Sequence, residues 1–142
     1  MTAADLFEEQ LRRLTEAARA AASYAYAPYS RFFVGAALLL HGGEIVTGCN
    51  VENASFRLTA CAEQTAIVAA IAQFGPTVRI QAVAVQNLAQ VACTPCGACR
   101  QTLAEFASGN AIILYPGEGG RLNRQTLAEL LPASFNLDKP QP

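Results

Sequence analysis

Apolar residues at Phe7, Leu11, Leu14, Ala18, Ala21 and Ala25 recur in steps of three and four, which keeps one side of a helix apolar. Thr2-Ala-Ala-Asp5 ahead of them has the form of a capping box, in which the Thr hydroxyl and the Asp carboxylate satisfy free amides of the first turn. Pro28 is the expected stop. Phe32 to Leu40 (FFVGAALLL) is a continuous apolar run and predicts a strand covered on both faces. His41-Gly-Gly43 reads as a turn, and Glu44 to Asn50 as the returning arm of a hairpin. Asn50 to Ala60 is a polar loop. Ala62 to Phe74 has hardly any polar side, so it predicts a buried helix, halted by Gly75-Pro76. Ile80 to Val85 predicts a third strand. Gly97 to Ala107 predicts a helix with Cys99, Leu103 and Phe106 on one side and Gly109 as its terminator. Ala111 to Tyr115 is a fourth strand, Arg121 to Asn123 a short fifth, and Gln125 to Leu130 a last helix before Pro132. The order α-β-β-α-β-α-β-β-α predicts an α/β fold, a mixed sheet with helices on both faces.

No repeat or low-complexity linker divides the 142 residues, so a single domain spanning 1–142 is expected. An apolar fraction of 52% is enough for a sizeable core. Charged residues make up only 15%, which leaves apolar surface to hide and points to a homo-oligomer. The net charge is −1 and the ten Lys and Arg are scattered. A nucleic-acid polymer is therefore not an expected partner. No apolar stretch reaches the roughly 18 residues of a membrane span. The first residues, with Asp5, Glu8 and Glu9, do not form a secretory signal, so no membrane partner and a cytoplasmic location are expected.

Five cysteines change the picture. Cys93, Cys96 and Cys99 fall within seven residues, and Cys61 lies 35 positions before Cys96. In a chain without a secretory signal such clustering reads as metal or redox chemistry. Cys96-Gly-Ala-Cys99 alone fits a redox pair, a structural zinc site or chance. Three thiolates with an open fourth position mark a catalytic zinc site, whereas a fourth leg from Cys49 or Cys93 would close it into a structural one. Spacing leaves both open. Glu63 tips the balance: near a helix start, its carboxylate can reach over a metal bound by Cys61 and take a proton from the water that the metal acidifies. Read alone, Glu63 is an ordinary acid favoured by the helix dipole.

Cys61-Ala-Glu63 and Pro95-Cys-Gly-Ala-Cys99 match the zinc deaminase signature of a first ligand, a non-ligand Glu and P-C-x-x-C. With YAPYSRFFVGAALL (26–39), GCNVENASF (48–56), CAEQTA (61–66), PCGACRQ (95–101) and ELLPASF (129–135), the chain resembles the small free cytidine deaminases of pyrimidine nucleoside salvage, in order and spacing over almost its whole length. That resemblance implies a three-layer α/β/α cytidine-deaminase-like fold with a five-stranded mixed sheet. It implies one Zn2+ per subunit on Cys61, Cys96 and Cys99, with Glu63 shuttling protons between water, the pyrimidine N3 and the departing amine. The Ala62 amide would meet the base carbonyl, and the Thr94 carbonyl would accept from the leaving amino group. Asn50 and Glu52 would hold the ribose 3′-hydroxyl. Phe32 would pack on the base and Phe135 would come from a neighbouring subunit. The implied assembly is a homotetramer with sites at subunit contacts, acting on a small nucleoside.

Each residue has a plainer reading. Asn50 can simply end a strand, Phe32 and Phe135 can be core, and Cys49 and Cys93 can be small buried apolar residues. His41 belongs to a turn facing solvent. Arg100 can donate to a thiolate or sit on a helix surface. Two positions depart from the resemblance. Many three-cysteine members carry Arg after the catalytic Glu, and this chain has Gln64; Tyr is frequent where Phe56 stands. Three thiolates on Zn2+ leave a net charge of about −1. Helix N-termini at Cys61 and at Cys96/Cys99 are expected to offset most of it, with Gln64 beside the metal orienting one sulfur. Competing readings are the same chemistry on a modified pyrimidine nucleoside or nucleoside antibiotic, a zinc-stabilised interaction domain, and a thiol-disulfide enzyme.

Overall fold

The computed structural model describes residues 1–139. Helix α1 (Ala3–Ala22) is followed by strands β1 (Val34–Leu40) and β2 (Ile45–Cys49), helix α2 (Ala62–Phe74) and strand β3 (Ile80–Asn87). Helix α3 (Gly97–Ala104), strands β4 (Ala107–Pro116) and β5 (Leu122–Thr126) and helix α4 (Leu127–Leu130) complete it. The sheet order is β2-β1-β3-β4-β5. Only β3 and β4 run parallel, joined by the crossover through α3; the other neighbours are antiparallel.

The sheet separates two apolar layers. On one side α1 packs Leu11, Leu14 and Ala18 on Ala37, Leu39, Ala82, Ala84 and Leu114. On the other, α2, α3 and α4 pack Ala62, Ala66, Ile67, Leu103 and Leu127 on Val34, Ala36, Leu38, Val83, Val85 and Ile113. Alternate residues of β1 thus feed opposite layers, which is why the whole strand reads as apolar. The close seat of α1 depends on Gly35, where a Cβ would come within 3.0 Å of the Ala18 carbonyl.

The expected capping box at Thr2 is present, with Asp5 N–H donating to Thr2 Oγ1 at 3.1 Å and Thr2 N–H to Asp5 Oδ2 at 2.9 Å. Several boundaries differ from the sequence reading. Helix α1 ends at Ala22, not at Pro28, because the Ser23 hydroxyl donates to the Ala20 carbonyl at 2.6 Å and its backbone N–H turns back on the same turn. Strand β1 begins at Val34, not Phe32: the Asn50 side chain takes the place of a strand there, donating to Phe32 O at 2.8 Å and accepting from Val34 N at 2.9 Å. Helix α3 stops at Ala104, and Gly109 is no terminator; it lies inside β4, whose pairing starts at Ala107 opposite Ile80. Gln125 belongs to β5, because Thr126 and Glu129 form a capping box that starts α4 at Leu127, two residues later than expected.

Candidate active site

The three cysteines arrive on helix starts. Cys61 is the N-cap of α2, Cys96 the N-cap of α3, and Cys99 sits in the first turn of α3. The path into α2 is fixed by a short pairing of Val51 with Ala60, each N–H donating to the other carbonyl at 2.9 Å. Under α2, Gly48 of β2 lets the helix backbone settle on the sheet; a Cβ there would lie 2.7 Å from Ala62 O and closer still to Ala66 N and Thr65 Oγ1. The Thr65 hydroxyl completes the seam, accepting from Cys49 N at 3.0 Å and donating to Cys49 O at 2.8 Å.

The Cys61, Cys96 and Cys99 sulfurs all lie within 4.8 Å of one another. Tetrahedral zinc with Zn–S bonds of about 2.3 Å needs sulfurs about 3.8 Å apart, so the donor set fits with a small contraction. Its chemistry fits as well. The Cys61 thiol is lowered to about 7, chiefly by a hydrogen bond from Cys99 and less by one from Cys96, against burial and the Glu63 charge. The same bond, with burial, pushes the Cys99 thiol up. The sulfurs therefore share protons that a divalent cation replaces. Free amides of two helix starts favour the resulting thiolates.

Glu63 lies in the first turn of α2 with 4% exposure, and it is the one carboxylate lining the cavity that holds the cysteines. Burial raises its pKa, opposed by its own backbone N–H and the Cys99 thiol. The cavity measures about 220 Å3 and lies where β3 ends and β1 begins. Phe32, Val34 and Val85 give it an apolar wall, and Asn50, Ala62 and Thr94 also line it.

The structure thus brings together Phe32, Asn50, Cys61, Ala62, Glu63, Thr94, Cys96 and Cys99. Glu52, Gln64 and Phe135 do not line this cavity. Glu52 accepts from the backbone N–H of Tyr29 at 3.0 Å and of Ser30 at 3.2 Å, and from the Ser30 hydroxyl. Phe135 is 67% exposed and so is not core. Gln64 places its amide oxygen 3.0 Å from the Cys61 backbone N–H, so its side chain braces that residue through the main chain, while its own backbone N–H faces the Cys61 sulfur to close a capping box. Arg100 binds two carbonyls, Pro95 O and Leu130 O, each at 2.8 Å, and neither expected role describes it. His41 is exposed, and Cys49 lies outside the cluster. Cys93 also lies outside the cluster but lines the cavity, as do Val34, Thr59 and Val85, which the sequence reading did not single out. The apolar residues gave no signal beyond their strands. Cys93 gave one, its spacing to Cys96.

Residues 8–115 match the family model of the cytidine and deoxycytidylate deaminase zinc-binding region. The chain belongs to this family. It is 39% identical over 126 residues to the cytidine deaminase of Sporosarcina psychrophila, covering 89% of this chain and 91% of that one. It is 45% identical over 118 residues to the cytidine deaminase of Mycobacterium tuberculosis, covering 83% and 84%. A crystal structure of cytidine deaminase from Burkholderia pseudomallei superposes with a TM-score of 0.79 at 42% identity, covering 87% of this chain and 98% of that one. The expected α/β/α fold with a five-stranded mixed sheet is borne out. No helix among the described residues is long and apolar enough to cross a membrane.

Proposed function

We propose that this chain catalyses hydrolytic deamination of free cytidine and 2′-deoxycytidine, converting them with water to uridine or 2′-deoxyuridine and ammonia. The observation that carries this reading is the convergence of three cysteine sulfurs and one buried carboxylate, Glu63, on a single cavity. Zinc on Cys61, Cys96 and Cys99, one ion per chain, supplies a Lewis acid that draws the pKa of water toward about 7. Glu63 takes one proton from the attacking water and delivers it to N3 as the water oxygen bonds to C4; it then takes the second proton from the hydroxyl on C4 and gives it to the amino group, which leaves as ammonia while the C4 carbonyl forms. Its burial, which raises its pKa, supports a group that can hold a proton between taking it and giving it up.

Ala62 N–H donates to the base carbonyl, and Thr94 C=O accepts from the leaving amino group. Phe32 packs on the base, and Asn50 with Glu52 holds the ribose 3′-hydroxyl. Positions on the cavity wall support Phe32, Asn50, Ala62 and Thr94; for Glu52 the support is the resemblance alone. Gln64 acts by fixing the Cys61 main chain. The cavity is smaller than the roughly 300–1,000 Å3 of drug-sized sites, which suits one pyrimidine ring with the sugar toward the mouth.

The active form is a homotetramer with sites at subunit contacts, and Phe135 reaches a neighbour's site. Apolar surface on Tyr24 (82% exposed), Phe56 (75%) and Leu58 (66%) supports this, since monomers seldom leave so much uncovered. The setting is pyrimidine salvage in the cytoplasm, and light scattering of the purified protein checks the subunit count. Zinc-loaded protein given cytidine should lose the substrate's ultraviolet band, and a folded, zinc-bearing Glu63→Ala variant should not. No conversion by native protein with zinc and fold intact would overturn the reading.

A further inference from the structure

Two consecutive side chains of α3, immediately after Cys99, reach across to the C-terminal segment. Arg100 bridges Pro95 O, in the loop before Cys96, to Leu130 O at the end of α4, at 2.8 Å each. Gln101 grips Phe135 at both main-chain groups: Nε2 donates to Phe135 O at 2.8 Å, and Phe135 N–H donates to Oε1 at 3.1 Å. The paired bonds reproduce one rung of a strand ladder, so they fix the residue's backbone direction as well as its position. Yet the ring so held is 67% exposed and does not line this chain's own cavity. A segment with no other described hydrogen bond to the body of the fold at that residue is thus pinned to the helix that carries two of the cysteines.

We infer that Gln101 is a positioning residue for substrate binding: it pre-orders Phe135 for the cavity of a second copy of this chain, with Arg100 anchoring the start of the same segment. The inference rests on the proposed role of Phe135 at a neighbour's site. Without the grip, the residues from Pro132 onward sample many backbone states, and ordering them again on each binding event weakens substrate affinity. The chemical step does not involve the segment, so the loss falls on KM.

The test compares native, Phe135→Ala, Gln101→Met and the double variant as zinc-loaded proteins, with metal content, subunit count, KM and kcat for cytidine. Met keeps the length of Gln and removes both hydrogen bonds. Phe135→Ala and Gln101→Met should each raise KM, the latter about five- to tenfold, with metal content, subunit count and kcat retained. The double variant should match Phe135→Ala, because a grip on an absent ring has nothing left to order. Gln101→Glu keeps the acceptor for Phe135 N–H, loses the donor, and should fall between native and Met. An unchanged KM in Phe135→Ala, in protein that still deaminates cytidine, overturns the role of Phe135 and this inference with it. A raised KM in Phe135→Ala with a native KM in Gln101→Met overturns the grip alone. Loss of zinc, of assembly or of kcat in Gln101→Met would mark it as a structural residue of α3 and would also overturn the inference.

Discussion

Gly48→Ala probes the seam that sets the cysteine-bearing end of α2. The added methyl would lie 2.7 Å from Ala62 O and nearer to Ala66 N and Thr65 Oγ1, three atoms of one helix turn. Carbon contacts settle at about 3.5–4.0 Å, so α2 must retreat by about 1 Å. Backbone atoms cannot swing aside as a side-chain tip can. Overpacking of this kind costs about 1–3 kcal/mol. The two bonds of the Thr65 hydroxyl to Cys49 stretch in the same movement, adding about 1 kcal/mol. A total of about 2–4 kcal/mol lowers Tm by about 6–12 °C in a chain of this size. Because the same turn carries Cys61, Ala62 and Glu63, a shift of about 1 Å should also cut kcat/KM about a hundredfold. Thermal melts followed by circular dichroism, with steady-state kinetics on zinc-loaded protein, measure both. Gly97→Ala is the control, since its methyl meets nothing within 4 Å and should leave Tm unchanged or slightly raised. A Gly48→Ala melt within about 2 °C of native, with unchanged kinetics, would refute the account of a seam fixed by backbone contact.

Cys93→Ser should keep one zinc per chain while Cys99→Ser loses it; metal analysis after gel filtration decides, and zinc loss in Cys93→Ser would revive a closed four-ligand site. Gln64→Ala should cost about 1 kcal/mol in thermal unfolding, because the Cys61 N–H loses its acceptor, and Gln64→Glu should restore it. The backbone N–H of Thr2, and then its hydroxyl, hold the Asp5 carboxyl below its ordinary pKa. A depressed folded pKa stabilises above the unfolded value and is lost as pH falls through the folded one. Asp5→Ala should therefore melt below native at neutral pH, and the gap should close on acidification below about pH 4. Melts across a pH series check it, and a gap constant with pH would count against the capping role.

Where one physical signal dominated, the chain could be read directly. Continuous apolar runs located β1 and α2, and the cysteine spacing with Glu63 located the metal cluster and its acid. Boundaries failed where a side chain competed with the backbone. Nothing in the periodicity says that Asn50 stands in for two ladder bonds, or that Ser23 closes α1 five residues before Pro28. The T-x-x-E box at Thr126 was visible in principle, but the polar strand LNRQT before it lacks the alternation that marks β structure. Arg100 and Gln101 were beyond reach because their partners, Leu130 and Phe135, lie 30 and 34 residues away and are main-chain atoms with no residue-type signature.

The division of the fold by its sheet has a practical side. Helix α1 occupies the face opposite Val34, Ala62 and Val85, the apolar residues shared by the cavity wall and the other layer. At 20 residues it is about 30 Å long, and its C-terminal end is the one that leads into the loop carrying Phe32. The first turn of α1 is thus a handle placed far from the cavity. A surface tether or dye attached to an exposed residue of that turn has the thickness of the sheet and the length of a helix between itself and the cavity mouth.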